Sequence, residues 1–433
     1  MKTRIFYPLL ASVFLFGCVD KGEDSAGGSS GGSGTGDDGS DGITCDDGLA
    51  VLSGTYTSDV AIGPSVCDAF LLQGGVFIGE SGGNSGVTLS IEPGTIVYGD
   101  PATAGFLSIQ QGSFIQANGT ADAPIVFTSA QAVGSRARSD WGGIIVNGKA
   151  PINNCSDGTA VVTGCTAESE GDAGLYGGDD PADSSGSLQY VRIEFGGTEI
   201  SPENEVNGLA LAGVGSGTTI SHVQVHMNKD DGIEFFGGTA NADHLVITGA
   251  GDDSLDWTDG WTGSVSHVCI QHFDDDGDRG IEADNNGDEN NALPRSAPTL
   301  SYVSLVGGGE GRTGMTIREG TAVNVTFLAA AGFDKGCLDV DGEATYEQLD
   351  SGATSITQSM LGCGDKNFVV DTDDSGAVDE PSDEELGSWW SSMGNDTLGS
   401  LTFSGFEASV PGVGCIPDGD DWTAGWTNSD ASR

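Results

Sequence analysis

Residues 219–270, TISHVQVHMNKDDGIEFFGGTANADHLVITGAGDDSLDWTDGWTGSVSHVCI, contain two kinds of short segment that return at a nearly constant interval. One kind reads SHVQV, DHLVI and SHVCI, and it places His222, His244 and His267 at steps of 22 and 23 residues. The other kind lies between these segments and reads DGIEF and DSLDW. Apolar and polar residues alternate in both kinds, as in a strand that buries one face. A repeat of this length indicates a solenoid of stacked coils.

The repeat continues on both sides of this stretch. The first kind returns as SYVSL (301–305) and VNVTF (323–327), which aligns Tyr302 and Asn324 with the three histidines. The second kind returns as NGLAL (207–211), RGIEA (279–283) and TGMTI (313–317). Coils of about 22 residues, each with two or three short strands, predict an all-β protein with a right-handed parallel β-helix.

Alignment of the coils predicts three columns of buried side chains. These columns are Leu209, Ile233, Leu255, Ile281 and Met315; Leu211, Phe235, Trp257, Ala283 and Ile317; and Val223, Leu245, Val268, Val303 and Val325. An antiparallel sandwich would instead require hairpin turns and would not keep a constant coil length.

Several segments carry a family resemblance. They are TLSIEPGTIVYG (88–99), APIVFTSA (123–130), DWGGIIVNGKAPIN (140–153), GSLQYVRIEFGG (186–197) and DDGIEFFGGT (230–239). Together they resemble the coils of bacterial surface lipoproteins with a right-handed parallel β-helix, in the pectin-lyase-like superfamily, over about residues 88–345. The resemblance implies a surface protein. The wider superfamily includes polysaccharide lyases and glycoside hydrolases as well as adhesins and structural members, so the activity stays open.

The N-terminal residues predict export and a lipid anchor. Lys2 and Arg4 precede an apolar run that is too short to span a bilayer but suits a signal peptide. The run ends in a segment that resembles the bacterial lipobox, with Cys18 as the lipidated residue. We therefore expect a lipoprotein signal peptide in residues 1–17, and Val19 after the cysteine favours the outer membrane. The alternative is an ordinary secretory signal.

Four regions follow from composition. After the signal peptide, residues 18–44 are rich in Gly, Ser and Asp and predict a disordered tether. The β-helix is expected over residues 45–363. Residues 364–433 lose the repeat, become acidic and contain four tryptophans, which predicts a short C-terminal cap on the solenoid. A small module that binds a glycan or a partner is the alternative for this last region.

The net charge limits the classes of binding partner, and the number of cysteines indicates disulfides. The formal net charge of −50 argues against nucleic acid and anionic lipid and favours cations such as calcium, although a salty medium explains it equally well. Apart from Cys18, eight cysteines remain in an exported chain, which suggests disulfides. Proximity in the sequence predicts Cys45 with Cys67 and Cys155 with Cys165. The pairing of the other four stays open: Cys269, Cys337, Cys363 and Cys415.

Acidic residues of three consecutive coils fall at the same height. The outward position of the second segment is occupied by Ala210, Glu234, Asp256, Glu282 and Thr316 in successive coils, and the turns before it supply Asp231, Asp252 and Asp253. Like charges at strand spacing raise one another's pKa or recruit a cation. The sequence therefore predicts a candidate site on this face.

Three functions are compatible with the candidate site. In a glycoside hydrolase, the candidate catalytic acids are Asp231, Asp252, Asp253 and Asp256, and the candidate ligand-binding residues are Glu234, Glu282, Trp257, Trp261 and Arg318. A calcium-dependent polysaccharide lyase would use a base among Arg279, Arg312, Arg318 and Lys335. The third function is non-catalytic binding, with calcium. The sequence contains no nucleotide fingerprint or catalytic triad, so no organic cofactor is expected.

Two further motifs concern metals. DTDDSGAVDE (371–380) places Asp371, Asp373, Ser375 and Asp379 at positions 1, 3, 5 and 9 of a calcium loop, although Ser382 stands at position 12. An acidic surface loop is the alternative. The three aligned histidines suit a ladder of stacked side chains better than a transition-metal site.

The sequence thus predicts a lipid-anchored outer-membrane protein, at the cell surface, that binds polysaccharide or another surface with calcium. The alternative is a polysaccharide lyase or glycoside hydrolase acting at the acidic face. The ligand, the leaflet orientation and the oligomeric state are left open by these residues.

Overall fold

The computed structural model describes residues 43–83, 86–155, 164–201, 204–369 and 383–430. Within these ranges, 25 strands join one hydrogen-bonded network in which the successive coils pair in parallel. The chain forms a right-handed parallel β-helix, as the repeat predicts. Each coil crosses three faces of the solenoid, which we call sheet 1, sheet 2 and sheet 3.

Sheet 1 is built from the second kind of segment. Its strands are Phe106–Ile109, Ile144–Asn147, Leu209–Ala212, Ile233–Phe236, Leu255–Thr258, Arg279–Ala283, Thr313–Ile317 and Gly336–Val340. Leu209 pairs with Ile233, Ile233 with Leu255, and Leu255 with Ile281. This register places the same face of every strand in the core.

Sheets 2 and 3 share long strands that bend in the middle. These are Gly186–Glu194, Thr219–His226, Asn241–Thr248, Ser264–Gln271, Thr299–Val306 and Asn324–Ala331. In the N-terminal coils the same faces are formed by Leu49–Tyr56, Val60–Ile62, Ala69–Ile78, Thr88–Ile91, Ile96–Gly99, Phe114–Asn118 and Ile125–Ser129, and in the last coils by Ser355–Thr357, Met360–Gly362 and Asp396–Thr397. Leu49–Tyr56 and Ala69–Ile78 also reach sheet 1.

The remaining elements are short. Small hairpins and edges are formed by Cys45–Asp46, Ala167–Glu168, Leu175–Tyr176, Glu199–Ser201, Asn204–Glu205, Phe403–Ser404 and Glu407–Ala408, and the helical segments are Glu170–Asp172, Glu343–Ser351, Gly364–Lys366 and Asp383–Ser392. No helix in the described ranges has the length and the apolar character that crossing a bilayer requires.

Each long strand contributes one aromatic ring at the bend between sheets 2 and 3, and these rings stack to form an aromatic ladder. Its six rings are those of Tyr190, His222, His244, His267, Tyr302 and Phe327. Successive ring centroids lie 4.3 to 4.8 Å apart, a distance close to the spacing of the coils, and the ring planes are nearly parallel. All six residues have φ between 48° and 61°. The backbone thus turns sharply at this position, and stacking of the rings accompanies the turn.

The ladder corrects one part of the sequence alignment. Phe327, and not Asn324, stacks on Tyr302. The same shift of three residues pairs Leu328 with Val303 and Val325 with Leu300, so Val325 does not belong to the column of Val303. The next ladder residue lies 25 residues after Tyr302. The sequence alignment placed it at Asn324, 22 residues on, because VNVTF has the same alternation of apolar and polar residues as the earlier segments.

Four disulfides join the described cysteines. Cys45–Cys67 and Cys155–Cys165 confirm the two predicted pairs. The open pairs are Cys337–Cys363, which links neighbouring coils, and Cys269–Cys415, which spans 146 residues of sequence. The second bond is possible because the end of the chain returns to the middle of the solenoid.

The C-terminal stretch has two parts. Leu386 and Trp390, on the helix Asp383–Ser392, join the core and close the end of the solenoid. Residues 398–430, the C-terminal strap, then run back across sheet 3. Ser304 donates a hydrogen bond to the carbonyl of Phe406, Trp422 contacts His244 edge-on, and Gln224 exchanges hydrogen bonds with the backbone of Asn428. The strap therefore crosses coils that do not touch one another.

A buried histidine under the strap predicts acid sensitivity. His226 is fully buried, and burial lowers its pKa from 6.5 to about 4. The unfolded chain takes up this proton first as the pH falls, so stability decreases between pH 6.5 and 4, by about 3 kcal/mol for this group. We expect His226→Gln to flatten the dependence of the urea midpoint on pH in this window. An unchanged pH profile would contradict the assignment.

Candidate functional site

The acidic column lies on the outer side of sheet 1 at its centre. We use this name for Glu234, Asp256 and Glu282, which pair directly in adjacent strands. The register agrees with the predicted alignment from Ala210 to Thr316, and Asp339 follows Thr316 on the next strand. The three carboxyl groups therefore stack at the spacing of β-strands.

The acidic column is buried, contrary to the expectation of an open acidic face. Glu234, Asp256 and Glu282 are only 6 to 8% exposed. Residues 164–176, which we call the flap, include Cys165 of the Cys155–Cys165 disulfide. The flap packs on sheet 1, where Ala173 joins an apolar cluster with Ile145 and Ala210. Glu170 of the flap and Glu234 both accept from the Asn207 amide, while Arg279 and Arg318 form ion pairs with Glu282.

A second row of polar groups runs beside the acidic column. The row consists of the residues two positions before the paired apolar position in successive coils, Asn207, Asp231, Asp253 and Arg279. Asp231 accepts a hydrogen bond from the backbone N–H of Asp253 at 2.9 Å, and Asp253 accepts one from that of Arg279 at 2.6 Å. Each of these acids thus fastens one coil to the next.

Burial and mutual repulsion keep the acids of the site from ionising readily. Burial raises the pKa of Asp231 and of Asp256 well above the usual range, and the neighbouring carboxylates raise both further. Burial likewise raises the pKa of Glu170 on the flap to about 8, and the nearby Asp230 adds to this shift. These acids therefore hold their protons to a higher pH than exposed carboxyl groups do.

Two arginines neutralise one end of the site. The Arg279 guanidinium lies 2.8 Å from Glu282 and 3.4 Å from Asp253, and that of Arg318 lies 2.9 Å from Glu282 and from Asp284. Burial raises the pKa of Glu282 to about 7 despite these arginines. Arg318, predicted as a ligand-binding residue, is therefore already engaged by two carboxylates.

At the other end of the site, no arginine of the described ranges forms an ion pair with Asp231, Glu234 or Asp256. One carboxylate oxygen from each of Asp231, Glu234 and Asp256 lies within 4.8 Å of the others, and all three residues are buried. Within the described ranges, Asp256 Oδ1 and Asn207 Oδ1 are buried without a hydrogen-bond partner. The Asn207 amide donates to Glu234 and Glu170 at 2.5 and 3.1 Å. Oxygen ligands of this kind fit calcium.

The predicted sugar-stacking residues lie in the core, so that prediction is wrong. Trp257 and Trp261 are both fully buried. Trp257 donates to Thr321 Oγ1, and Trp261 stacks on Phe235 with centroids 4.0 Å apart. Alternation along the strand already placed Trp257 on the inner face, and the fold fills that face with indoles. Neither ring is able to contact a polymer.

The other predicted residues fall in several places. Asp252 is exposed at the edge of the site, near Asp230 and Asp231 on one side and Asp253 and Asp278 on the other. Cys18 and the predicted calcium loop with Asp371, Asp373, Ser375 and Asp379 lie outside the described residues.

A polar cavity of about 440 Å³ opens next to the acidic column. Phe236, on the strand of Glu234, lines it together with Tyr176 from the flap, and their ring centroids are 6.3 Å apart. Tyr176 donates a hydrogen bond to Asp259 at 2.8 Å, while burial raises the pKa of Asp259 to about 6. The accessible part of the cavity wall is the partly exposed Phe236 ring with the exposed Asn154 and Asp288.

Two residues of the site were not predicted from the sequence. Glu170 enters from the flap, more than sixty residues before Glu234, and no repeat marks it. Asn207 was detectable, because it occupies in NGLAL the position that Asp231 and Asp253 occupy in the next two coils.

Comparison with known proteins agrees with this architecture. No curated protein and no solved structure matches the chain. The model of one family, described as the pectate-lyase like beta helix domain, matches residues 54–427, which span all three sheets and most of the C-terminal strap. The chain therefore belongs to the family of pectate-lyase like beta helix domains.

Proposed function

We propose that this protein is a lipid-anchored β-helix of the outer membrane that binds polysaccharide or another surface, with calcium held by Asp231, Glu234 and Asp256. The observation that carries the proposal is the buried group of Asp231, Glu234 and Asp256, whose Glu234 shares the Asn207 amide with Glu170 of the flap. Acids that are covered in this way are poorly placed to attack a polymer. They are well placed to hold an ion that stabilises the fold.

Calcium fits the donor set of this group. The three carboxylates would hold the ion, with Asn207 Oδ1 as a neutral ligand from the preceding coil. A divalent cation removes the repulsion that raises the pKa values of these acids, and calcium accepts carboxylate and amide oxygens in flexible geometry. The ion would tie three coils together at the centre of sheet 1.

The polar cavity is the proposed contact surface for polysaccharide. Phe236 provides a partly exposed ring, and the exposed Asn154 and Asp288 provide hydrogen-bonding groups around it. Binding sites of this kind combine an apolar surface with a few placed polar groups. The lipobox-like Cys18 and the tether in residues 18–44 would hold this surface away from the membrane.

The competing function is a polysaccharide lyase or glycoside hydrolase at the same acids. Burial raises the pKa of Asp253 well above its usual range, and a carboxylic acid that stays protonated is suited to general acid catalysis. This function requires the buried Asp253 and Asp256 to become accessible to the polymer during the reaction.

Calcium addition tests the ion site. We expect saturating calcium to stabilise the folded protein by about 2–3 kcal/mol, because the ion binds only the assembled site. Asp256→Asn, which keeps the size of the side chain, should abolish most of this gain. The exposed Asp350→Asn is the matched control and should keep it. Equal stabilisation of both variants by calcium would contradict the site.

A screen of neutral and acidic polysaccharides separates binding from catalysis. The full chain is incubated with each polymer, with and without calcium, and both retention and chain length are measured. Binding without cleavage, reduced in Phe236→Ala, supports the proposal. Cleavage that disappears in the triple variant of Asp252, Asp253 and Asp256 while binding persists would establish the enzyme instead.

A further inference from the structure

The outer surface of sheet 2 carries a regular array of short polar side chains. Sheet 2 is formed by the half of each long strand that precedes the aromatic ladder, and the paired outward positions in six successive coils are Thr219, Asn241, Ser264, Thr299, Asn324 and Ser355. A second column lies two residues further along each strand, from Ser221 to Thr357. We call the two columns the hydroxyl array, because most of their residues are serine or threonine.

The hydroxyl array is a lattice with two fixed periods. Along the solenoid axis the period is the coil spacing, and the ladder rings of these coils are 4.4 to 4.8 Å apart. Across the strand it is about 6.6 Å, twice the rise per residue. The ring planes are inclined by only 1° to 14°, so successive coils stack with little twist.

Hydrogen bonds between neighbouring coils hold part of the array in place. Ser264 Oγ donates to Asn241 Oδ1, and Ser355 Oγ donates to Asn324 Oδ1, both at 2.7 Å. A side chain fixed in this way loses little further conformational freedom when it meets a partner. The array is therefore a preorganised surface.

The hydroxyl array is almost free of charge in a chain whose formal net charge is −50. Its one charged residue is Asp243. No other Asp, Glu, Lys or Arg occurs in the strand segments of this face and the turns before them, which are residues 217–222, 239–244, 262–267, 297–302, 322–327 and 353–358. Burial lowers the pKa of His222 and of His267, so these ladder rings are neutral near pH 7. Such a face suits an uncharged partner.

Solvent reaches this face. Thr219, Asn241 and Thr299 are exposed, and the other positions of the array are half-buried between their neighbours in the sheet. The C-terminal strap crosses sheet 3 and the flap packs on sheet 1. Among the described residues, no hydrogen bond joins the array to either segment. The array is thus open to a partner from outside.

Two kinds of uncharged partner fit this face poorly. A second copy of the chain would need an apolar centre, but the exposed large apolar residues of the described chain all lie outside the array: Val51, Ile96, Val133 and Leu293. A neutral polysaccharide would stack its sugar rings on aromatic faces. The inner ladder rings turn their faces to one another and offer only their edges.

A crystal of water fits better. The oxygen atoms of ice repeat at a distance close to the coil spacing, so hydroxyl groups fixed at that spacing are able to occupy places in the lattice. Charged side chains would instead hold their own hydration water and disturb the crystal. We propose that the hydroxyl array binds the surface of ice. The hydroxyl groups exchange hydrogen bonds with lattice waters, and the threonine methyl groups pack between them. This function goes beyond the proposed calcium and polysaccharide binding and uses another face of the solenoid.

Adsorption of the fluorescently labelled full chain to a growing ice surface tests the proposal, with thermal hysteresis as the second readout. We expect the protein to be enriched at the ice surface and to lower the freezing temperature below the melting temperature. Ser264→Lys with Thr299→Lys, two long charged side chains at the centre of the array, should reduce adsorption about tenfold or more. The thermal transition checks that this variant folds.

The matched control is Ser391→Lys with Ser400→Lys, two exposed serines outside the array, which should change adsorption less than about twofold. No enrichment of the parent protein at ice, or an equal loss in the control, would overturn the proposal. So would retention on microcrystalline cellulose or chitin, or a dimer in solution, if the array variant abolished it and ice bound neither protein. Calcium and the polar cavity enter none of these measurements, so the proposed function is tested separately.

Discussion

Replacing Cys269 and Cys415 by alanine will lower the free energy of unfolding by about 5 kcal/mol and expose the C-terminal strap to proteases. The bond closes a loop of 146 residues, and the chain-entropy cost that a disulfide removes from the unfolded state grows with the length of the loop. Both sulfurs are buried beside Val246 and Trp426, so the strap also loses its central point of attachment.

The matched comparison is the variant that lacks Cys155 and Cys165, whose loop spans only 10 residues. The same argument gives about 3 kcal/mol for this shorter loop. Urea midpoints measure both losses, and limited proteolysis with mass spectrometry identifies the released segment. A strap that remains protected in the Cys269/Cys415 variant would show that side-chain contacts alone hold it in place.

Replacing Trp257 by alanine will cost about 3–5 kcal/mol, the range for a large aromatic residue removed from a core. Its indole is fully buried, lies 5.7 Å from that of Trp261, and fills the space left by the small Ala283 on the next strand. The variant also leaves the Thr321 hydroxyl without its indole donor. Thermal and urea unfolding measure the loss.

Trp257→Phe keeps a ring and should lose less stability, while Val133→Ala, at a 71% exposed position, should stay within about 0.5 kcal/mol of the parent. These variants also separate the two interpretations of Trp257. A Trp257→Ala protein with unchanged stability and lost polysaccharide binding would restore the role in sugar stacking that its burial contradicts.

The repeat made most of the solenoid predictable. Positions such as Leu255 and Asp256 recur at a nearly fixed step, so the repeat predicted the strands with which they pair. The alternation of apolar and polar residues predicted which of the two faces the core. The shift at Phe327 shows the limit of this reasoning. The sequence allows either Asn324 or Phe327 to align with Tyr302, and only the backbone pairing of the strands selects between the two alignments.

The candidate site was predictable only in part. Its acids lie on the repeat, but their burial depends in part on other segments: the flap near Glu234, which has no repeat of its own, and Arg318 near Glu282. Glu170 and the burial of the acidic column therefore depend on contacts between segments far apart in the sequence. The path of the strap also depends on contacts between distant segments, so the sequence did not predict which cysteine pairs with Cys269.

The strap changes how this solenoid is expected to unfold. In most repeat proteins each coil touches only its neighbours, so opening starts at one end and proceeds coil by coil. Here a single segment contacts strands from Met360 back to Arg192, through Leu401, Phe406, Cys415 and Trp426. Loss of a terminal coil therefore also disturbs contacts in the middle of the molecule. Amide hydrogen exchange across the spanned coils should accordingly follow one shared opening event, with no gradient from the ends inward.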